Sequence, residues 1–139
     1  MLHEEGLDHV FARHQRHAEA TRRAVNAWGL EVFCREPRHY SGSLTAVLMP
    51  DGHSADGFRR IVAGAFDMSL GGGLSKIADR VFRIGHLGDF NDLMLAGTLA
   101  GVEMGLERAD VPYRKGGVQS ALDYLASEAA TDSRRAAAE

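Results

Sequence analysis

The run Val81-Phe82-Arg83-Ile84-Gly85-His86-Leu87-Gly88-Asp89-Phe90-Asn91-Asp92 constrains the fold more than any other stretch of this chain. It reads as a short apolar strand, a glycine-containing turn and the start of a helix. One arginine sits inside the apolar strand. An unpaired buried charge costs roughly several kcal/mol, so Arg83 needs a partner. Its guanidinium is a planar fork that suits a carboxylate in two-point contact. Residue chemistry alone leaves two partners open: a carboxylate of the chain itself, in a structural salt bridge, or the carboxylate of a ligand.

The elements around this run follow from periodicity and turn chemistry. Residues from about Glu4 to Trp28 carry Leu7, Phe11, His14, Ala18, Thr21, Val25 and Trp28 at steps of three and four, one face of a long amphipathic helix. Gly29 supplies its stop. Leu30 to Cys34 is a strand candidate, with Cys34 as a buried strand residue, and Pro37 to Ser43 is a loop. Leu44 to Met49 is the next strand, ended by the turn signal Pro50-Asp51-Gly52. Ser54 is an N-cap candidate for a helix over Asp56 to Phe66, with Ile61, Ala65 and Phe58 toward the sheet. Met68 to Leu70 is a short extended piece. After the strand Val81 to Ile84, Asp89 is expected to cap a helix running to about Arg108. Leu95, Leu99, Val102 and Leu106 form its apolar side, and Gly97, Gly101 and Gly105 permit close packing. Val111-Pro112 breaks the chain, and Val118 to Ala126 forms a last helix. The order is helix, strand, strand, helix, short strand, strand, helix, helix. It predicts an α+β fold: a small, largely antiparallel sheet covered on one face by helices.

Other motifs are weaker. Gly71-Gly72-Gly73-Leu74-Ser75-Lys76 invites a phosphate-loop reading but lacks the glycine directly before the lysine, the Rossmann spacing and a helix opening from it. It is read as a mobile strand connection. Seven histidines suggest a metal only until their spacing is considered. No Cys-x-x-Cys or His-Glu-x-x-His pattern supports a metal site, and His14 reads as a packing histidine. No nucleophile–base set emerges, so no catalytic residue is assigned within the chain.

A chain of 139 residues fits one domain with a real core. The net charge of −3 argues against a nucleic-acid partner held by phosphate contacts. A single cysteine cannot form an internal disulfide, which suits a reducing compartment. The most apolar stretch, Leu93 to Leu106, is too short to span a membrane and contains Glu103. The N-terminus carries Glu4 and Glu5 where a signal peptide needs basic residues. A cytoplasmic location is therefore expected.

The octet Phe82-Arg83-Ile84-Gly85-His86-Leu87-Gly88-Asp89 resembles the C-terminal signature of class V pyridoxal-phosphate aminotransferases, in particular the serine–glyoxylate and alanine–glyoxylate branch. Three further stretches agree: Val10-Phe11-Ala12-Arg13-His14, Phe66-Asp67-Met68-Ser69-Leu70-Gly71, and Gly116 through Leu125. The similarity runs in register from about Leu7 to Leu125. It departs from the family pattern at Gly72, often another residue, and at Ser75, where the family has a glycine.

The resemblance implies the C-terminal small domain of these enzymes. Residues 1–127 would be that domain with its long N-terminal helix, and 128–139 a frayed tail. It implies that Arg83 binds the α-carboxylate of the substrate, an amino acid or 2-oxo acid. Gly71, Gly72 and Gly73 would face the active-site mouth. His86, three residues beyond Arg83 at the strand's end, reads first as a structural residue and alternatively as one that lines the cleft or domain junction. The intact enzyme would use pyridoxal 5'-phosphate to move an amino group from serine or alanine to glyoxylate. The family's Schiff-base lysine lies in a large N-terminal domain. Lys76 and Lys115 do not sit in that lysine's motif, and Met1 falls where the family has ordinary internal sequence. The chain alone is therefore expected neither to bind the cofactor nor to catalyse. Its expected partners are the large domain and a second copy in a homo-oligomer, with Leu7, Phe11 and Trp28 as candidates for an exposed docking face. The alternative is a stand-alone, non-catalytic module that binds small carboxylates or oligomerises.

Overall fold

A computed structural model describes the backbone of residues 2–138 and the side chains of residues 4–127. The elements are α1 (Leu2–Glu5), α2 (Leu7–Ala27), β1 (Glu31–Val32), β2 (Leu44–Leu48), α3 (Ala55–Phe66), β3 (Gly71–Gly72), β4 (Val81–Gly85), α4 (Asp92–Arg108) and α5 (Gly117–Ala138), so the order follows the sequence reading except that the first helix is split and the short strand is Gly71–Gly72 rather than Met68–Leu70. The sheet has the order β1-β2-β4-β3, and every pairing is antiparallel. The fold is α+β, with the helices gathered on one face of the sheet.

The first helix is not continuous. Gly6 takes φ 84°, a conformation that interrupts helical geometry, so α1 and α2 are separate. The long helix α2 buries Val10, His17, Ala18, Ala20, Thr21, Ala24 and Val25, a stripe of small residues that lets it lie close to its neighbours. It ends at Gly29, where φ is 75°. Leu7 and Phe11 are exposed, as the docking-face expectation has them, but Trp28 is fully buried.

The helix α3 starts as its cap predicts. The Ser54 hydroxyl accepts from the Gly57 amide at 2.8 Å, and the Asp79 carboxylate accepts from the Asp56 amide at 2.8 Å. Its inward face is Ala55, Phe58 and Val62, whereas Ile61 and Ala65 point to solvent. In α4 the cap is Asn91, not Asp89: its side chain accepts from the Met94 amide at 2.9 Å.

Leu95, Leu99, Val102 and Leu106 of α4 are fully buried against Phe58, Val62, Phe82 and Ile84. Each such side chain contributes about 1.5–3 kcal/mol through burial. Gly105 lets α4 approach α3: a Cβ there would fall 2.5 Å from Val62 and 3.0 Å from Phe58. Gly101 does the same against Met68, while Gly97 faces open space.

The start of α5 is held by Glu103. Its carboxylate accepts from the Trp28 indole at 2.7 Å and from the Val118 and Gly116 amides at 3.0 and 3.1 Å. One acidic side chain on α4 thereby ties α2, α4 and the N-terminal turn of α5. The last helix runs past Ala126 to Ala138, and the fray expected over 128–139 lies outside the described side chains. Cys34 lies just beyond β1, half-buried rather than buried, and its thiol donates to the Glu36 carbonyl. Among the described residues no helix is long and apolar enough to cross a membrane.

Candidate functional site: an arginine on the open sheet face

Side chains alternate between the two faces of a strand, so Arg83 faces away from Phe82 and Ile84. Those two residues lie in the apolar core with the helices. The β2–β4 register pairs Arg83 with Ala46, and the β3–β4 register pairs it with Gly71. Ala46, Arg83 and Gly71 therefore form one row across three strands, on the face that no helix covers. The arginine is flanked by two of the smallest side chains available. Along β2 the same face carries Leu44 and Leu48, both half-buried.

Arg83 is half-buried and makes no salt bridge to any described carboxylate. Its Nε is buried and has no hydrogen-bond partner. Of the two partners that residue chemistry left open, the described residues offer no internal one.

Two of the three glycines belong to the sheet rather than to a connecting loop. Gly71 and Gly72 form the edge strand β3, and the Gly73 amide donates to the Val81 carbonyl at 2.9 Å. None of the three has positive φ. Space constrains them to different degrees, strictly only at residue 73. A Cβ at residue 71 would fall 3.0 Å from Arg83 Nε and 3.1 Å from Arg83 Cβ. A Cβ at residue 72 would fall 2.7 Å from an Arg59 terminal nitrogen on the helix-covered face. A Cβ at residue 73 would collide with the Ile77 carbonyl oxygen. Arg59 itself is held inside the fold by Asp56 at 2.8 Å and by the Leu70 carbonyl at 2.8 Å.

His86 is not brought to Arg83. Three residues further along, it lies fully buried on the helix side, beside Thr45. Its Nδ1 is 3.2 Å from the Gly42 carbonyl and its Nε2 is 3.0 Å from the Thr45 hydroxyl. The carbonyl can only accept, so Nδ1 carries the proton and Thr45 donates to Nε2. Burial pushes the His86 pKa down to about 4, so the ring is neutral. In this arrangement His86 serves the packing beneath the sheet, and the cleft-lining expectation has no geometric support.

The turn after β4 is pinned from α2. His14 accepts from the Gly88 amide at 3.0 Å, and Arg13 donates to the Gly88 and Phe90 carbonyls at 2.8 and 2.9 Å. At the start of α4, Asp92 takes two bonds from Arg16, at 2.8 and 2.7 Å, and one from His17 Nε2 at 2.9 Å. Burial is the main influence on His17 and lowers its pKa despite Asp92. Sequence reasoning missed the His17–Asp92–Arg16 set. Its only signal was the i, i+1 basic pair on α2, which does not name a partner 75 residues away. Among the described residues no group of three or more His, Cys, Asp or Glu is placed to hold a metal.

No family model matches the chain. Individual relatives do. The chain is 41% identical over 130 residues to serine–glyoxylate aminotransferase of Hyphomicrobium methylovorum, covering 93% of this chain and 32% of that one. It is 45% identical over 125 residues to serine–glyoxylate aminotransferase of Methylorubrum extorquens, covering 89% of this chain and 31% of the relative. Among solved structures it superposes on ureidoglycine–glyoxylate aminotransferase from Bacillus subtilis with a TM-score of 0.83 at 28% identity, over 89% of this chain and 32% of that one. The chain thus spans about a third of the length of the curated relatives it matches.

Proposed function

We infer that this chain, whose sequence and fold match the C-terminal small domain of class V aminotransferases, supplies the substrate-carboxylate arginine of such an enzyme. Arg83 is that residue. The observation that carries the assignment is its position on the uncovered sheet face, where it forms no salt bridge with any described carboxylate. A charged fork held in a strand without an internal partner is prepared for a carboxylate from outside. The row neighbours Ala46 and Gly71 leave room for a small ligand.

The substrates proposed are an amino acid donor, serine or alanine, and glyoxylate as acceptor. Support comes from the names of relatives: two curated ones are serine–glyoxylate aminotransferases, and one solved neighbour is a ureidoglycine–glyoxylate aminotransferase. Arg83 would orient the substrate so that its Cα–H meets the base of the remaining part of the enzyme, a positioning effect.

Pyridoxal phosphate, when bound in the whole enzyme, supplies the electron sink for the reaction. We assign none of the described residues of this chain to holding it. Lys76 and Lys115 are both exposed, and Lys115 lies 3.7 Å from the Glu107 carboxylate. The cofactor is assigned to the other two-thirds of the enzyme, joined to this chain or supplied as a separate one.

The test is complementation. The chain is mixed or co-expressed with the N-terminal two-thirds of the Hyphomicrobium relative, and serine–glyoxylate transamination is assayed with pyridoxal phosphate. Turnover that needs both pieces is the expected result. Turnover by this chain alone, with borohydride trapping the cofactor on Lys76 or Lys115, would overturn the assignment.

A further inference from the structure

We propose that Gly71 is a positioning residue for substrate binding: its missing side chain seats the Arg83 guanidinium so that a carboxylate can be held only end-on, by the two terminal nitrogens. The inference rests on Arg83 being the carboxylate-binding residue.

Three observations support it. First, Gly71 and Arg83 are direct partners in the β3–β4 register. Cross-strand partners ordinarily carry their Cβ atoms about 4.5–5.5 Å apart, and this pair lies closer than that. Second, the arginine lies over the glycine. A Cβ at residue 71 would meet Nε at 3.0 Å, Arg83 Cβ at 3.1 Å and Cζ at 3.5 Å. The Arg83 Cβ is fixed to a central strand and cannot yield. The guanidinium or the edge strand must therefore give by a few tenths of an ångström. Third, Nε is sealed from solvent and has no acceptor.

The third observation sets the binding mode. A guanidinium can meet a carboxylate side-on, through Nε and one terminal nitrogen, or end-on, through both terminal nitrogens. With Nε covered by the chain itself, no ligand oxygen reaches it. The end-on pair remains. This selects small carboxylates that approach along the arginine axis, the shape of a short 2-amino or 2-oxo acid. The glycine is kept by this packing and not by backbone conformation, because residue 71 has no positive φ.

The experiment uses the full chain, labelled for arginine side-chain NMR, with sodium acetate as probe against sodium chloride at constant ionic strength. In the unsubstituted chain, saturable shifts of the Arg83 terminal-nitrogen signals with an unmoved Nε signal are expected. Gly71→Ala should weaken acetate binding about threefold or more, part of the worth of one charged hydrogen bond. Gly64→Ala, a helix glycine with open space around it, should leave binding unchanged.

An Nε signal that moves together with the terminal nitrogens would show side-on contact and overturn the proposal, whatever the fate of the variant. Unchanged affinity in a folded Gly71→Ala would also overturn it. Acetate binding that survives Arg83→Ala would instead remove the carboxylate reading of Arg83 itself, and so would the absence of any saturable Arg83 shift in the unsubstituted chain.

Discussion

Ala46 and Arg83 face each other across the two central strands, on the side of the sheet that carries no helix. A carboxylate introduced at this position would meet the guanidinium from its own cross-strand neighbour. Ala46→Glu is therefore expected to pair with Arg83 and abolish binding of external small carboxylates. Cross-strand opposite charges contribute about 0.2–1 kcal/mol, so the melting temperature should hold or rise slightly. Acetate titration with thermal unfolding checks this. Undiminished binding in a folded Ala46→Glu would mean that Arg83 does not serve the open face.

Glu103 joins three helices through one carboxylate. Burial is the largest single influence and raises its pKa, but the Trp28, Val118 and Gly116 donors together hold it below the ordinary value of 4.5. Its contribution is thus fully present above pH about 4.5 and is lost as pH falls through the lowered folded value. Glu103→Gln should cost about 1.5–3 kcal/mol at neutral pH, the worth of charged hydrogen bonds, and should flatten the acid side of the stability curve. Urea midpoints from pH 3 to 7 for both proteins provide the measurement.

His86 acts in a different pH window. Its folded pKa, pushed down to about 4 by burial, lies below the ordinary 6.5. The neutral ring is favoured by folding, so its contribution is complete above pH 6.5 and declines as pH falls from 6.5 toward 4. Imidazole NMR should find His86 still neutral at pH 5 in the folded chain. A ring that titrates near 6.5 would contradict the buried Thr45–His86–Gly42 arrangement.

The architecture was legible wherever local chemistry acts alone. The Pro50-Asp51-Gly52 turn, the Ser54 cap, the strand over Val81 to Ile84 and the buried side of α4 all follow from period and turn residues. Misreadings arose where tertiary contact decides. Asp89 and Asn91 are both competent caps. Arg13 holds the Gly88 and Phe90 carbonyls outside the helix, which leaves the cap to Asn91. On α3 either Ile61 or Val62 could face the core, and the packing of Gly105 against Val62 selects the latter. Three consecutive glycines carry no strand propensity, so their pairing with β4 was hidden. So was the burial of His86, because a residue past a strand's end has no period to follow.

Ser75 marks a place where sequence and backbone disagree. Its φ is 53°, in the left-handed region, at the position where the resembling family has glycine. A non-glycine residue there costs roughly 1–2 kcal/mol, partly offset by the greater freedom of glycine in the unfolded chain. Ser75→Gly should stabilise the domain by about 0.5–1 kcal/mol, read from the urea midpoint. A lower midpoint would mean that the serine side chain makes a compensating contact in solution.

The central claim is that Arg83 binds substrate and does not merely hold the fold. Its direct test is serine affinity and melting temperature for Arg83→Ala and Arg83→Lys, in the chain assembled with the large domain. The account predicts at least about tenfold weaker serine binding for Arg83→Ala, partial recovery in Arg83→Lys, which keeps charge but loses the fork, and little change in melting temperature. Unchanged serine affinity with a collapse in melting temperature would contradict it and make Arg83 a structural residue.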